Sequence, residues 1–253
     1  MAITIVGILM RKSANKIRQQ EFLFCQEDRD RSVRRLCMSR KISILLLCCL
    51  LGCFWVGCSR VSSADVKTIL KAMAENGDQT SVLIQRDNTF TDVITESFSE
   101  EYYDFDELKQ VIESEISAYN AAHQTAEGAD DLIELASIER VEDNVVLALK
   151  YRQWEALQEY SADEAFANAQ MTIQTVVNGM TLEEAYVDAE GKAVDKVELN
   201  SSAIQKGYRK ITASGQAMTV YLENPVVCAT DNVTIVDEYM VQIPEEACIV
   251  VVH

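Results

Sequence analysis

A run of about 15 residues without a charged side chain divides the sequence into two parts. The run extends from Ile42 to Val56, and the basic residues Arg40 and Lys41 precede it. A helix needs about 20 apolar residues to cross a bilayer, whereas the hydrophobic region of a signal peptide needs about 7–15. The run therefore predicts an N-terminal apolar signal helix followed by a separate mature part. An uncleaved membrane helix is the alternative interpretation.

Two cysteines near the end of this run, Cys53 and Cys58, are alternative positions for the start of the mature part. Gly57 precedes Cys58, and Leu50 stands three residues before Cys53. The region resembles bacterial lipoprotein signal peptides, whose lipobox ends in a small residue followed by the cysteine that receives diacylglycerol. The resemblance implies lipidation of Cys58, because processing at Cys53 would leave Phe54–Val56 exposed at the mature N-terminus. Cys53 is the alternative lipidation site.

The segment before the signal peptide does not resemble a domain. Met38 is followed within three residues by Arg40, Lys41 and then the apolar run, so residues 38–58 form a complete signal peptide with its lipobox. Translation that begins at Met38 would make residues 1–37 a mis-assigned or disordered N-terminal extension. A long charged extension of a genuine signal peptide is the alternative.

The charge of the mature part excludes one class of partner. Residues 58–253 carry 13 Lys and Arg against 36 Asp and Glu, a formal charge of −23. Such a surface repels phosphate backbones, so we expect no nucleic-acid partner. The expected partners are the membrane, through the lipid anchor, and a protein or glycan of the cell envelope.

Cysteine usage also separates the two parts. Six of the eight cysteines lie at or before Cys58, which leaves only Cys228 and Cys248 in the body of the protein. These two cysteines could form a disulfide if the mature part lies outside the cytoplasm. Both residues stand in apolar, strand-like sequence, where a free cysteine behaves as a small hydrophobic residue. The sequence leaves both alternatives open.

Short β-branched segments separated by turns predict an α+β fold with mainly antiparallel strands and hairpins. The predicted strands are two hairpins, 80–85 with 89–98 and 132–140 with 145–152, followed by 171–177, 218–222, 226–229, 233–236, 239–243 and 248–252. The last strand is too apolar for a free edge and is expected inside a sheet.

A few amphipathic helices complete the prediction. The clearest begins at Phe105 and ends near Ala122, with Leu108, Ile112 and Ile116 on its buried face. Further helices are predicted at about 66–76, 154–170, 181–188 and 201–209. We divide the mature chain into a tether with a short helix, residues 59–79, and an extracytoplasmic domain, residues 80–253. Two subdomains with a break near 178–200 are the alternative organisation.

The residue types needed for common catalytic mechanisms are scarce. His123 and His253 are the only histidines, and the sequence has no Cys-x-x-Cys. Carboxylates are abundant, above all in 100–107, but a solvated loop with a helix cap explains that run better than a hydrolase pair. The acidic loop 188–192 lacks the regular spacing of calcium ligands. We expect no catalytic residue, no metal site and no cofactor.

A second, weaker resemblance covers most of residues 80–253. The chain resembles a group of small Firmicutes lipoproteins of unassigned function at 96–99, 102–104, 106–109, 119–120, 225–226 and 230–233. These motifs are structural, so the resemblance implies an anchored α+β domain and transfers no catalytic residue.

The leading functional hypothesis is a membrane-anchored extracytoplasmic lipoprotein with a binding or structural role in the cell envelope. The alternatives are a carboxylate-dependent envelope hydrolase and a small substrate-binding lipoprotein of a transporter. A hydrolase should show paired carboxylates with a raised pKa in a cleft, and a transporter component should show two lobes around a ligand cavity.

Overall fold

A computed structural model of the chain describes residues 64–77, 80–100, 103–123, 130–161 and 163–251. The predicted signal peptide, the segment before it and the start of the predicted tether lie outside these residues. The helices are α1 Val66–Glu75, α2 Phe105–His123, α3 Trp154–Tyr160, α4 Glu164–Asn168 and α5 Lys196–Lys206. The strands are β1 Ser81–Ile84, β2 Phe90–Ser97, β3 Ile133–Val141, β4 Asn144–Tyr151, β5 Gln170–Thr175, β6 Tyr186–Val187, β7 Arg209–Ser214, β8 Met218–Leu222, β9 Val226–Thr230, β10 Thr234–Asp237, β11 Met240–Ile243 and β12 Glu246–Val251.

The strands form two sheets, which confirms the α+β class. The large sheet has seven strands in the order β10-β11-β8-β1-β2-β4-β3, and the small sheet has five in the order β5-β7-β12-β9-β6. Neighbouring strands pair antiparallel within the described residues, except that β1 and β8 are parallel. The antiparallel character was predicted, and the parallel pair was not.

One large hydrophobic core joins both sheets to three helices. It contains Val82 and Leu222 of the large sheet, Ile211 and Ile249 of the small sheet, and apolar residues of α2, α3 and α4. Helix α1 covers the opposite face of the large sheet, where Ile69 and Met73 pack with Leu83 and Tyr221. Helix α5 lies over a second core on the other face of the small sheet.

Several elements agree with the sequence prediction. Both predicted hairpins are present, as β1–β2 and β3–β4. Helix α2 buries Leu108, Ile112 and Ile116, and the side chain of Asp104 accepts hydrogen bonds from the first turn. Strand β12 lies between β7 and β9, inside its sheet as expected.

Three helix predictions need correction. The helix predicted at 154–170 is two short helices, α3 and α4, separated by Ser161 and Asp163. Residues 181–185 are not helical, and Tyr186 begins strand β6. The helix predicted at 201–209 spans Lys196–Lys206 instead, because the Asp195 side chain caps it and the left-handed Gly207 ends it.

The residues after Gly207 form a strand that the sequence prediction missed. This strand, β7, pairs with β5 on one side and with β12 on the other. It therefore joins two segments of the small sheet that lie far apart in the sequence. Within the described residues, no helix is long and apolar enough to cross a membrane.

Candidate functional site

The predicted lipidation sites, Cys58 and Cys53, lie outside the described residues, so lipidation stays a prediction. Cys228 and Cys248 are free thiols and are buried on adjacent strands of the small sheet. Cys228 stands opposite Val250, which makes the two cysteines diagonal neighbours. Diagonal residues have Cα atoms about 7–8 Å apart, beyond the usual span of a disulfide. This register favours the free thiols.

The Cys248 thiol belongs to a polar network beside the second core. The Tyr186 hydroxyl lies 3.3 Å from Cys248 Sγ and donates to Glu184 Oε2 over 2.6 Å. Lys210 Nζ lies 2.6 Å from the other oxygen of Glu184. Burial alone would raise the pKa of Glu184, but the hydrogen bonds from Lys210 and Tyr186 lower it to about 2. Burial raises the pKa of Cys228 to about 12. These groups are held in place and stabilise the sheet.

The end of the acidic run, from Asp104 to Glu107, forms the start of helix α2. Asp104 Oδ1 accepts the backbone N–H groups of Asp106 and Glu107 over 2.9 and 3.1 Å. The ring of Tyr103 packs against Phe98 with a centroid distance of 5.0 Å. Carboxylates near a helix N-terminus also interact favourably with the helix dipole. These contacts agree with the capping interpretation of this run.

A solvent-exposed groove lies between α2 and the edge strand β3. It encloses about 380 Å³, within the range of ligand-binding clefts. The floor contains Ile116 and Ile133, whereas Glu113, Asp131 and Glu134 line it from both sides. The groove therefore combines an apolar base with an acidic wall.

Asn120 fixes the geometry of this groove. Its Oδ1 accepts the backbone N–H groups of Leu132 and Ile133, and its Nδ2 donates to the Ile133 carbonyl over 2.8 Å. The side chain thus satisfies the backbone of β3 at the sheet edge, as a neighbouring strand would do. Helix α2 and β3 are held together at this end.

A second candidate is a buried carboxyl, Asp92 on β2. Its side chain faces the large core and is 6 % exposed. Ser161 Oγ donates to Asp92 Oδ2 over 3.2 Å and accepts the backbone N–H of Asp163. Burial, reinforced by the negative charge of Asp163, raises the pKa of Asp92 to about 7, although the Ser161 hydrogen bond opposes this shift. The buried hydroxyl of Tyr151 is close enough to feel the Asp92 charge and has no hydrogen-bond partner.

This carboxyl was not singled out from the sequence. Phe90 and Ile94, two positions before and after it, both pack against the large core. A charged residue between two inward-facing residues of an alternating strand was the signal that could have identified Asp92. Asp92 lines neither the groove nor the narrow apolar gap between α2 and the large sheet.

His123 lies at the end of α2 in a small surface cluster. Its ring stacks on Tyr119 with a centroid distance of 4.0 Å, and its Nε2 lies 3.3 Å from Glu159 Oε1. The Tyr119 hydroxyl donates to Glu159 as well. The cluster links α2 to α3 and places the imidazole in a structural contact.

In the described part of the chain, no three His, Cys, Asp or Glu side chains are arranged to hold a metal ion. Comparison with protein-family models, curated proteins and solved structures found no match for this chain.

Proposed function

We propose that the chain is a lipid-anchored extracytoplasmic binding module of the cell envelope, and that the groove between α2 and β3 binds a basic segment of an envelope protein. The groove is the observation that carries the binding role. An apolar floor suits the aliphatic stem of a lysine or arginine, and the acidic wall suits its charged end.

The anchoring part of the proposal rests on the apolar run and its cysteines. The described body begins at Ala64, whose backbone N–H donates to the Glu223 carbonyl over 3.1 Å. Five residues lie between Cys58 and Ala64, and the six residue-to-residue steps span about 22 Å in a fully extended chain. A lipid on Cys58 would hold the body close to the bilayer, where envelope proteins are its nearest partners.

Photo-crosslinking in cells tests the binding role. The full chain carries a photo-crosslinking side chain at Ser117, which lines the groove. The matched control carries it at the exposed Ala118, which does not line the groove. We expect a defined protein adduct from position 117 that is absent from position 118. Equal labelling from both positions, or adducts to glycan alone, would contradict the proposal.

Charge reversal tests the chemistry of the partner. Glu134→Lys changes a groove carboxylate, and Glu139→Lys makes the same charge change on the same strand outside the groove. We expect Glu134→Lys to weaken the crosslink at least several-fold and Glu139→Lys to leave it near the wild-type level. Equal effects of the two reversals would show that only overall charge matters.

A carboxylate-dependent hydrolase is the second candidate, and the Asp92 cluster is the observation that favours it. Ser161 links the Asp92 carboxyl to the backbone N–H of Asp163. Burial and the negative charge of Asp163 both raise the pKa of Asp92, as in the carboxyl pairs of hydrolases. Turnover of cell-wall glycans or peptides that is lost in Asp92→Asn, while the variant remains folded, would favour the hydrolase over the binding module.

A further inference from the structure

We propose that Arg209 binds the carboxylate group of a small molecule beneath the β1–β2 turn. Arg209 begins strand β7, and its side chain is directed into the protein, with 1 % of the residue exposed. A buried guanidinium is unusual, and it remains charged, so each of its N–H groups needs an acceptor.

Only one edge of this guanidinium is occupied. Nη1 donates to the Gln85 carbonyl over 3.0 Å and to Asn88 Oδ1 over 2.8 Å, and the Arg86 carbonyl lies 3.4 Å away. The β1–β2 turn thus surrounds this nitrogen. Nε and Nη2 are buried and have no hydrogen-bond partner.

The unpaired atoms are the two that bind carboxylates best. The Nε–H and one terminal N–H of arginine point in parallel and match the two oxygens of a carboxylate in a bidentate pair. Buried donors without an acceptor are rare in folded proteins. Such a donor has lost its hydrogen bonds to water and gains none in return, which destabilises the folded state. A bound carboxylate would satisfy both donors.

A third unpaired donor belongs to the same cluster. Asn224 is buried, and its Nδ2 also has no partner. Its Oδ1 accepts a hydrogen bond from Arg86 Nε over 3.0 Å, so Arg86 connects Asn224 to the turn that surrounds Arg209. Among the described residues, five buried side-chain nitrogen and oxygen atoms lack a partner, and three of them lie in this cluster.

The charges around Arg209 indicate a monoanion. Glu223 and Asp87 are the carboxylates whose charges act on Arg209. Both oxygens of Glu223 contact Arg86. Asp87 is paired with Lys150 over 2.8 Å. Each of these two ion pairs contains one positive and one negative charge, so the positive charge of Arg209 is left without a counterion. A carboxylate neutralises it, whereas a phosphate dianion would add an excess negative charge to a buried site.

The turn residues Arg86 and Asn88, which contact Arg209 Nη1, are exposed, whereas Nε and Nη2 are buried. Because a ligand must reach these buried atoms, we expect small carboxylates to bind more readily than large ones. The residues around Arg209 do not line the groove, so carboxylate binding there is independent of the proposed function.

Titration of the purified full chain with sodium formate tests the proposal, and sodium chloride and sodium phosphate at matched ionic strength are the controls. We expect a saturable rise in the melting temperature with formate only. Arg209→Lys keeps the charge but loses the bidentate edge, and it should weaken formate binding by about tenfold or more. Glu139→Gln, distant in sequence on β3, should bind formate as the wild type does.

A second measurement keeps the proposal testable if Arg209→Lys does not fold. In the wild-type chain, the NMR signal of the Arg209 Nε–H group should move on formate addition with the same midpoint as the thermal shift. No saturable effect of formate, an equal effect of chloride, a preference for phosphate, or an Arg209 signal that does not move would each overturn the proposal.

Discussion

At the residue scale, several ionisable groups are buried or partly buried, and the neighbours of each group determine its pKa. Asp92 is buried beside another carboxylate, and its pKa rises. Glu184 is less buried and receives hydrogen bonds from Lys210 and Tyr186, and its pKa falls. Desolvation acts on both carboxyls in the same direction, so the hydrogen-bond donors that contact them decide the outcome.

The raised pKa of Asp92 makes folding stability depend on pH. In the unfolded chain Asp92 ionises near its ordinary pKa of 3.8, whereas in the folded chain it ionises near 7. Between pH 3.8 and about 7, Asp92 is mostly protonated in the folded chain and mostly ionised in the unfolded chain. The contribution of Asp92 to the free energy of unfolding therefore falls as pH rises.

Asp92→Asn removes this dependence and keeps an acceptor for Ser161. We expect the variant to gain stability over the wild type as pH rises from about 4 to 8, by up to about 4 kcal/mol. Urea unfolding of both proteins across this range measures the difference. A difference that stays constant with pH, or that grows as pH falls, would contradict the buried, protonated Asp92.

The two cysteines of the small sheet give a prediction about reactivity. Because burial raises the pKa of both thiols, little thiolate forms near neutral pH, and reagents cannot reach it. We expect iodoacetamide to label Cys228 and Cys248 at least about 100-fold more slowly in the folded chain than in concentrated urea. Mass spectrometry of the labelled peptides follows each residue. A peptide pair linked by a disulfide, or rapid labelling without urea, would show this assignment to be wrong.

At the element scale, tight backbone contacts fix the connection between the two short helices and the small sheet. Gly215 ends β7 with φ of +91°, and a Cβ atom there would lie 2.2 Å from the carbonyl oxygen of Asn168 at the end of α4. Gly179 has φ of +93°, but a Cβ atom there would meet no atom within 4 Å. The two glycines have nearly the same φ and differ in their surroundings.

Alanine at each position separates backbone strain from steric clash. We expect Gly179→Ala to lower the free energy of unfolding by about 1–2 kcal/mol through its positive φ. Gly215→Ala should cost at least about 2 kcal/mol more, because the carbonyl of Asn168 must move. Chemical denaturation measures both variants. Equal losses in the two would exclude the predicted clash.

Local sequence patterns were enough to predict the elements whose contacts are mostly between residues close in the sequence. The β1–β2 and β3–β4 hairpins, helix α2 and the buried position of β12 all follow from turn residues and hydrophobic periodicity. The parallel β1–β8 pair was not predicted, because its partners are more than 130 residues apart and no local pattern encodes that pairing.

The helix predicted at 181–188 failed for a related reason. Its sequence begins like a capped helix, but Leu182 donates its N–H to Asn200 on α5, and Tyr186 pairs with Thr230 on β9. These distant partners outweigh the local preference for a helix. The Arg209 site was missed in the same way, because it is assembled from segments far apart in the sequence. Asp92, in contrast, had a local signal in the alternation of β2.

At the scale of the whole molecule, the groove and the proposed anchor belong to one arrangement. The body is tied at Ala64 to the loop at Glu223, and a lipid on Cys58 would keep the body within the length of the short link from Cys58 to Ala64. A groove with acidic walls on such a body is suited to capture a basic partner at the envelope. Membrane attachment through a lipidated cysteine is the central claim of this account.

The mass of the N-terminal peptide of the native protein, isolated from the membrane fraction, tests this claim most directly. We predict a mature chain that begins at a diacylglyceryl-modified Cys58 and that moves out of the membrane fraction when Cys58 is replaced by alanine. Modification of Cys53 instead would keep the anchor and change its site. A native chain that retains residues 1–37, or that begins near Cys58 without a lipid, would contradict the account.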